Sequence, residues 1–314
     1  MDNSITRRDF LQTILAGSAL LTGGCFKKAQ WPAPGSRKDS LRIVFYTDVH
    51  ARTEWDTPLA VARAAHAIRA QSPDLVISGG DLITDGFESS AMEIAPRWDV
   101  YMQMHRSIGC DIYPVVGNHD LVAANPADGS PPATDPRSDF LSKMKIPRTY
   151  YSFDAAGYHF VMLDSIQIVD EPYKYQGLIW PSQREWLRQD LARIPPGTPV
   201  ILASHIPLLS SFFMATRGGT FGPPKNRIVV NNVEILNLIQ PYNVILVLQG
   251  HLHAQEILIR RKTTFIVGGA ICGKWWRGSW HGTEEGFNVI TLKGDHVTWE
   301  YVDYGWEAER PQGE

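Results

Sequence analysis

Leu41-Arg42-Ile43-Val44-Phe45-Tyr46-Thr47-Asp48-Val49-His50 decides the reading of this chain. An apolar, β-rich run delivers a carboxylate and an imidazole at the point where a strand should end. The same construction recurs four times. Asp74 to Ser78 leads into Gly79-Gly80-Asp81, and Asp111 to Val116 into Gly117-Asn118-His119-Asp120. Thr198 to Ala203 leads into Ser204-His205, and Asn243 to Leu248 into Gln249-Gly250-His251-Leu252-His253. Short apolar runs bounded by turn residues read as buried strands. Between them, Thr57-Pro58 starts a helix with proline tolerated in its first turn, Leu59 to Ala70 supplies helix formers, and a second helix is predicted over Ser90 to Ser107. Alternating strands and helices predict βαβ units around a sheet buried on both faces. Further along, Tyr150 to Asp154 and Tyr158 to Leu163 flank Ala155-Ala156-Gly157 as a hairpin. Ser182 to Leu191 and Val233 to Ile239 read as helices, the second stopped by Pro241, and strands and turns dominate Gln255 to Tyr304.

The five strand ends carry carboxylate, amide oxygen and imidazole, an all-N/O donor set without cysteine. Such a set suits iron, manganese or zinc better than a thiolate-selected ion. In an extended Asp-x-His or His-x-His segment the outer side chains leave the same side of the chain, so each pair can converge. Gly80, Gly117 and Gly250 would let the backbone turn tightly beside the donors.

These motifs, in this order, resemble the calcineurin-like metallophosphoesterase family, over about Leu41 to about Tyr304. The resemblance implies the α/β class and a four-layer α/β/β/α sandwich, with ligands on loops at the C-terminal strand ends, where open α/β sheets bind ligands. It implies two metal ions bridged by Asp81. Asp48, His50 and His253 would complete one metal's protein ligands, and Asn118, His205 and His251 the other's. It further implies that His119 acts on the leaving group, that Asp120 orients His119 through its other ring nitrogen, and that a hydroxide between the metals attacks phosphorus in line. The motif set is most similar to class III cyclic nucleotide phosphodiesterases, which points to phosphodiesters; phosphomonoesterase or nucleotidase activity on the same site is the alternative. Purple acid phosphatases place a metal-binding tyrosine three residues after the bridging aspartate; Thr84 stands there instead. A non-catalytic interaction protein keeping the fold is the rival from another class, and such members typically lose the histidine corresponding to His119. A formal net charge of −3 implies no polyanion-binding surface, so nucleic acid is not an expected partner.

Singly, a strand-end histidine is usually a hydrogen-bonded structural group, and Gly-Asp and Gly-Asn pairs are usually turns. His66, His105, His159 and His296 have no motif around them and read as structural or solvated. Gly273-Lys274-Trp275-Trp276-Arg277-Gly278-Ser279-Trp280-His281-Gly282 is the most unusual local composition. It could stack on a flat group and meet phosphate oxygens, close the sandwich by packing, or touch a membrane interface. Ser210 to Arg227 reads as a loop after His205 that could form a substrate wall.

The N-terminus resembles an export signal. Thr6-Arg7-Arg8-Asp9-Phe10-Leu11 resembles the twin-arginine motif, and the apolar run from Phe10 to Leu21 is too short to span a bilayer. Leu21-Thr22-Gly23-Gly24-Cys25 looks like a lipoprotein cleavage site, with Thr22 where an apolar residue is usual; cleavage without lipidation is equally open. The expected layout is a signal peptide at 1–25, a Pro-rich linker at 26–40, a phosphoesterase domain at 41–304 and a tail at 305–314. The expected location is periplasmic or otherwise extracytoplasmic after passage through the twin-arginine translocase, with membrane attachment if Cys25 carries lipid. Cys110 and Cys272 could pair in an oxidising compartment or be small buried residues.

Overall fold

The computed structural model describes residues 39–170 and 174–309. The signal segment with Arg7, Arg8 and Cys25, the linker up to residue 38 and the last five residues lie outside the described residues.

Strand β1 (Leu41–Tyr46) is followed by α1 (Thr57–Ala70), β2 (Leu75–Ser78), α2 (Ala91–Ile108) and β3 (Ile112–Pro114). α1 takes Pro58 in its first turn. α2 starts on a capping box: the Ser90 hydroxyl accepts from the Glu93 amide while the Glu93 carboxylate accepts from the Ser90 amide. α3 (Ser138–Met144) leads to the hairpin β4 (Tyr151–Ala155) and β5 (Tyr158–Leu163). A short ribbon, β6 (Ile166–Ile168) and β7 (Tyr175–Gly177), precedes α4 (Pro181–Leu191), β8 (Pro199–Ser204), α5 (Phe212–Arg217), α6 (Asn232–Ile239) and β9 (Asn243–Gln249). β10 (Glu256–Arg260), β11 (Thr263–Val267), β12 (Gly286–Lys293) and β13 (His296–Asp303) complete the fold.

The strands form two large mixed sheets, ordered β13-β12-β1-β2-β3 and β10-β11-β9-β8-β5-β4. Their alternation explains the layering. Ile43 and Phe45 of β1 and Ile77 of β2 share one core with Phe160 and Met162 of β5 and Ile201 and Ala203 of β8, so these faces of the two sheets meet. The alternate residues Val44, Tyr46 and Val76 pack with Ala64 and Ile68 of α1 and Trp98 of α2. Val200 and Leu202 of β8 pack with Leu187 and Leu191 of α4 and Ile235 of α6. Helices therefore cover the outer face of each sheet, which is the four-layer α/β/β/α sandwich expected from the sequence.

β1, β2 and β3 are mutually parallel, as are β5, β8, β9 and β11. Every donor-bearing motif therefore leaves the C-terminal end of a parallel strand. Cys110 and Cys272 are both free thiols, so the possible disulfide between them is not formed. Among the described residues no helix is long and apolar enough to cross a membrane.

Candidate metal centre

Asp48, His50, Asp81, Asn118, His205, His251 and His253 are each at most 3% exposed, and the fold brings all seven together. They fall into two clusters that share Asp81. In the first, His253 Nε2 lies 3.3 Å from Asp48 Oδ1 and 3.2 Å from His50 Nε2, and His50 Nε2 lies 3.6 Å from Asp81 Oδ2. In the second, His205 Nε2 lies 3.2 Å from Asp81 Oδ2, 3.2 Å from Asn118 Oδ1 and 3.1 Å from His251 Nδ1. Donors about 2.1 Å from one ion at tetrahedral angles would stand roughly 3.4 Å apart, so both clusters have the right spacing.

Hydrogen bonds on the outer side of five of the donors decide what faces inward. His205 Nδ1 donates to the Gly79 carbonyl at 2.9 Å, His251 Nε2 to the Asn226 carbonyl at 2.8 Å, and His253 Nδ1 to the Gly273 carbonyl at 2.6 Å. When these rings are neutral, each nitrogen turned into the clusters is a bare lone pair, the tautomer that outer-shell carbonyls impose on metal-ligating histidines. Asp48 Oδ2 accepts from the Thr47 hydroxyl and the His251 amide, whereas its Oδ1 is buried without a hydrogen-bond partner. Asp81 Oδ1 accepts from the His119 amide, which leaves Oδ2 facing both clusters. Lone pairs such as those of His205 and His251, 3.1 Å apart, repel one another unless a cation lies between them. The carboxylates also draw positive charge to this place. Burial works against charge on His205, yet the Asp81 carboxylate outweighs it and pushes the imidazole pKa up to about 9. Burial likewise opposes ionisation of Asp48, yet His253 holds its carboxyl well below the usual carboxylate range. The donor set fits a pair of cations.

The backbone differs from the expected extended segments. Asp48, His50, Asp81, His251 and His253 all have positive φ, between 44° and 74°. The side chains of each triplet converge through left-handed turns, a conformation that non-glycine residues adopt at a cost. Ladder-like bonds hold it: the Asp48 amide donates to the Gly80 carbonyl and the His50 amide to the Asp81 carbonyl, both at 2.9 Å. Gly117 is needed for space, because a Cβ there would overlap the Asp81 backbone nitrogen and Oδ1.

His119 lies beside the first cluster, with its ring centroid 4.7 Å from that of His50. The expected Asp120–His119 pair is a correction. The Asp120 carboxylate accepts from the Gly117 and Leu82 amides at 2.8 and 2.7 Å, so it braces the loop. Burial first, then the nearby Asp81 carboxylate, pushes its pKa up to about 7. The Asp85 backbone amide donates to His119 Nδ1 at 3.0 Å instead, leaving Nε2 as the protonated nitrogen. A backbone partner carries no side-chain signature, which is why the motif pointed to Asp120.

Cys272 was not singled out as a site residue; its buried Sγ lies 3.7 Å from His253 Nδ1, on the far side of that ring from the cluster. The Trp-rich stretch both packs and borders the site. Trp276 is buried and donates from Nε1 to the His50 carbonyl at 2.9 Å, while the Trp275 ring lies 4.4 Å from that of His253. His66, His105 and His296 lie on α1, α2 and β13. His159 is buried between Asp154 and Asp190, with ring nitrogens 2.7 and 3.0 Å from their carboxylates.

A two-sheet sandwich that gathers carboxylates, an amide and imidazoles into two clusters around a shared aspartate defines a class: metal-dependent phosphoric ester hydrolases with a dinuclear centre. The family model described as Calcineurin-like phosphoesterase matches residues 41–255, and the chain belongs to that family. It is 26% identical over 243 residues to the protein named "Probable cyclic nucleotide phosphodiesterase" of Synechococcus, covering 72% of this chain and 79% of that one. It is 27% identical over 207 residues to purple acid phosphatase 15 of Arabidopsis thaliana, covering 59% of this chain but only 36% of the plant protein. The fold is also that of a dimetal phosphatase from Danio rerio, with a TM-score of 0.54 and 15% identity over 84% of this chain and 99% of that one.

Proposed function

We propose that this chain hydrolyses phosphodiesters at a two-metal centre. Asp48, His50, His253 and Asp81 would hold one ion, and Asp81, Asn118, His205 and His251 the other. The observation that carries this reading is the set of inward ring nitrogens fixed by backbone carbonyls around His205, His251 and His253. Bound metals would supply a water of lowered pKa and neutralise charge developing on the phosphoryl oxygens. The chain's own residues do the rest. The Asp85 amide sets the His119 tautomer, so Nε2–H points a hydrogen-bond donor at the leaving or non-bridging oxygen. Asp120 keeps the loop that carries Asn118 and His119 closed on the Leu82 and Gly117 amides.

Two observations favour diesters. The similarity to the Synechococcus protein runs over most of both chains. The position three residues past Asp81 is Thr84, which is buried and offers no phenolate for a purple iron site. The test is a panel of mono- and diesters after reconstitution with manganese, iron or zinc. Higher kcat/KM on diesters is the expected result, and a preference for monoesters would overturn it.

We also propose that Thr6 to Leu11 directs export by the twin-arginine route, and that Cys25 carries lipid in the mature form. A centre assembled from residues 48 to 253 forms only after folding, which suits a route that carries folded proteins. Replacing Arg7 and Arg8 together with lysine should strand the precursor in the cytoplasm; normal export would reject the route. Cys25→Ala should release the mature protein from the membrane fraction, and unchanged fractionation would remove the anchor.

A further inference from the structure

A cleft of about 650 Å³ opens beside the second cluster. That is far more room than a phosphate needs and lies within the roughly 300–1,000 Å³ typical of organic-ligand pockets. One wall is α5 and the segment after it, presenting Phe212, Phe213 and Phe221. The other is the loop over 273–282, presenting Trp275 and Trp280. The walls meet where the Phe212 and His281 rings pack edge to face with centroids 5.0 Å apart. His251 lies at the base, and Trp275 connects the cleft to the first cluster through its contact with His253.

The lining is aromatic rather than aliphatic: Leu252 and Pro224 are its aliphatic members. Among the described residues it contains Arg217 and Arg227 but no carboxylate. Arg227 Nη1 comes within 3.4 Å of His251 Nε2, placing a guanidinium at the boundary between cleft and donor cluster. An acyl chain needs neither ring faces nor a cation. A planar π-system attached to an anion uses both, the ring by stacking and the anion by a charge-assisted hydrogen bond.

We propose that this cleft is a subsite for a planar aromatic group on the phosphoester substrate. Phe213 and Trp280 grip the ring, and Arg227 meets a phosphate oxygen. The placement of the phosphate rests on the two-metal reading above. The test reads binding rather than turnover, with phosphonates whose C–P bond is not hydrolysed. Calorimetry on the metal-loaded protein compares (1-naphthyl)methylphosphonate, hexylphosphonate and methylphosphonate. The naphthyl probe should bind about tenfold tighter than methylphosphonate, as stacking on protein aromatics does for bases. Phe213→Ala and Trp280→Ala should each remove most of that ratio while leaving methylphosphonate affinity and metal content unchanged. A ratio near one, a ratio that survives both substitutions, or hexylphosphonate binding as tightly as the naphthyl probe would overturn the proposal. Failure to hydrolyse any ester with the ratio intact would strike the phosphoesterase reading and leave the subsite standing. Hydrolysis with a ratio near one would do the reverse.

Discussion

The two donor clusters and the aromatic cleft lie side by side and are built in opposite ways. Each cluster donor sits within a few residues of a buried strand and is almost wholly inaccessible, and His205, His251 and His253 are each pinned by a backbone carbonyl on the outer side. The cleft walls come from the short helix α5 with the segment after it and from the loop over 273–282, with Phe221 exposed and Phe213 and Trp280 half-buried. Chemistry that tolerates no displacement is placed on the rigid part of the sandwich, and selection among substrates on the part that can vary without disturbing it.

Removing the shared donor is the most severe way to break that division. Asp81→Asn should lose metal and at least about 10³-fold in kcat, since both clusters use its Oδ2. Elemental analysis beside activity checks this, and a fully active, metal-free protein would sink the two-metal reading. Next comes the group that lies beside the donors without joining either cluster. His119→Asn should keep its metal and lose about 10²–10³-fold in turnover, more on a diester with a poor leaving group than on an activated aryl ester. Equal losses on both would assign His119 to general transition-state binding.

Smaller effects sharpen the contrast from the side of the scaffold. His159 ties the β4–β5 hairpin to α4 through Asp190. Burial opposes its protonation, but hydrogen bonds to Asp190 and Asp154 prevail and raise its pKa above the ordinary 6.5. Burial similarly opposes ionisation of Asp190, and His159 holds that carboxyl down. A raised histidine contributes fully below its ordinary pKa and loses the contribution as pH climbs through the folded value; a lowered aspartate contributes above its ordinary range and loses it in acid. The pair should therefore stabilise most between those limits. Metal-loaded protein should lose part of its stability as pH rises past neutrality. Thermal melts of His159→Gln should lack that component, and an unchanged slope would show that other groups carry it.

The part of the molecule that could be read in the sequence follows the same division. β1, β2, β8 and β9 were legible because apolar runs end in polar donors, and α1 and α2 because Pro58 and Ser90 mark their starts. The short ribbon β6–β7 was not, since three-residue strands carry no measurable period. α5 was read as loop because Phe212 to Arg217 is short and runs into Gly218-Gly219. The grouping of the seven donors followed from the family resemblance. The left-handed backbone under five of them did not, because nothing in Asp or His side chains announces a positive φ. The partner of His119 was missed for a related reason: an amide belongs to every residue, so only folding reveals which one is used.

Those five left-handed positions set function against endurance. A residue with a Cβ held at positive φ costs about 1–2 kcal/mol relative to glycine, and the centre carries that cost several times over. In the metal-free protein only the hydrogen bonds and ion pairs among the donors offset it. His50→Gly, useless as a catalyst and with no outer hydrogen bond to lose, should therefore melt higher than the metal-free parent and lower than the loaded one. Metal scarcity would then cost this protein lifetime as well as turnover.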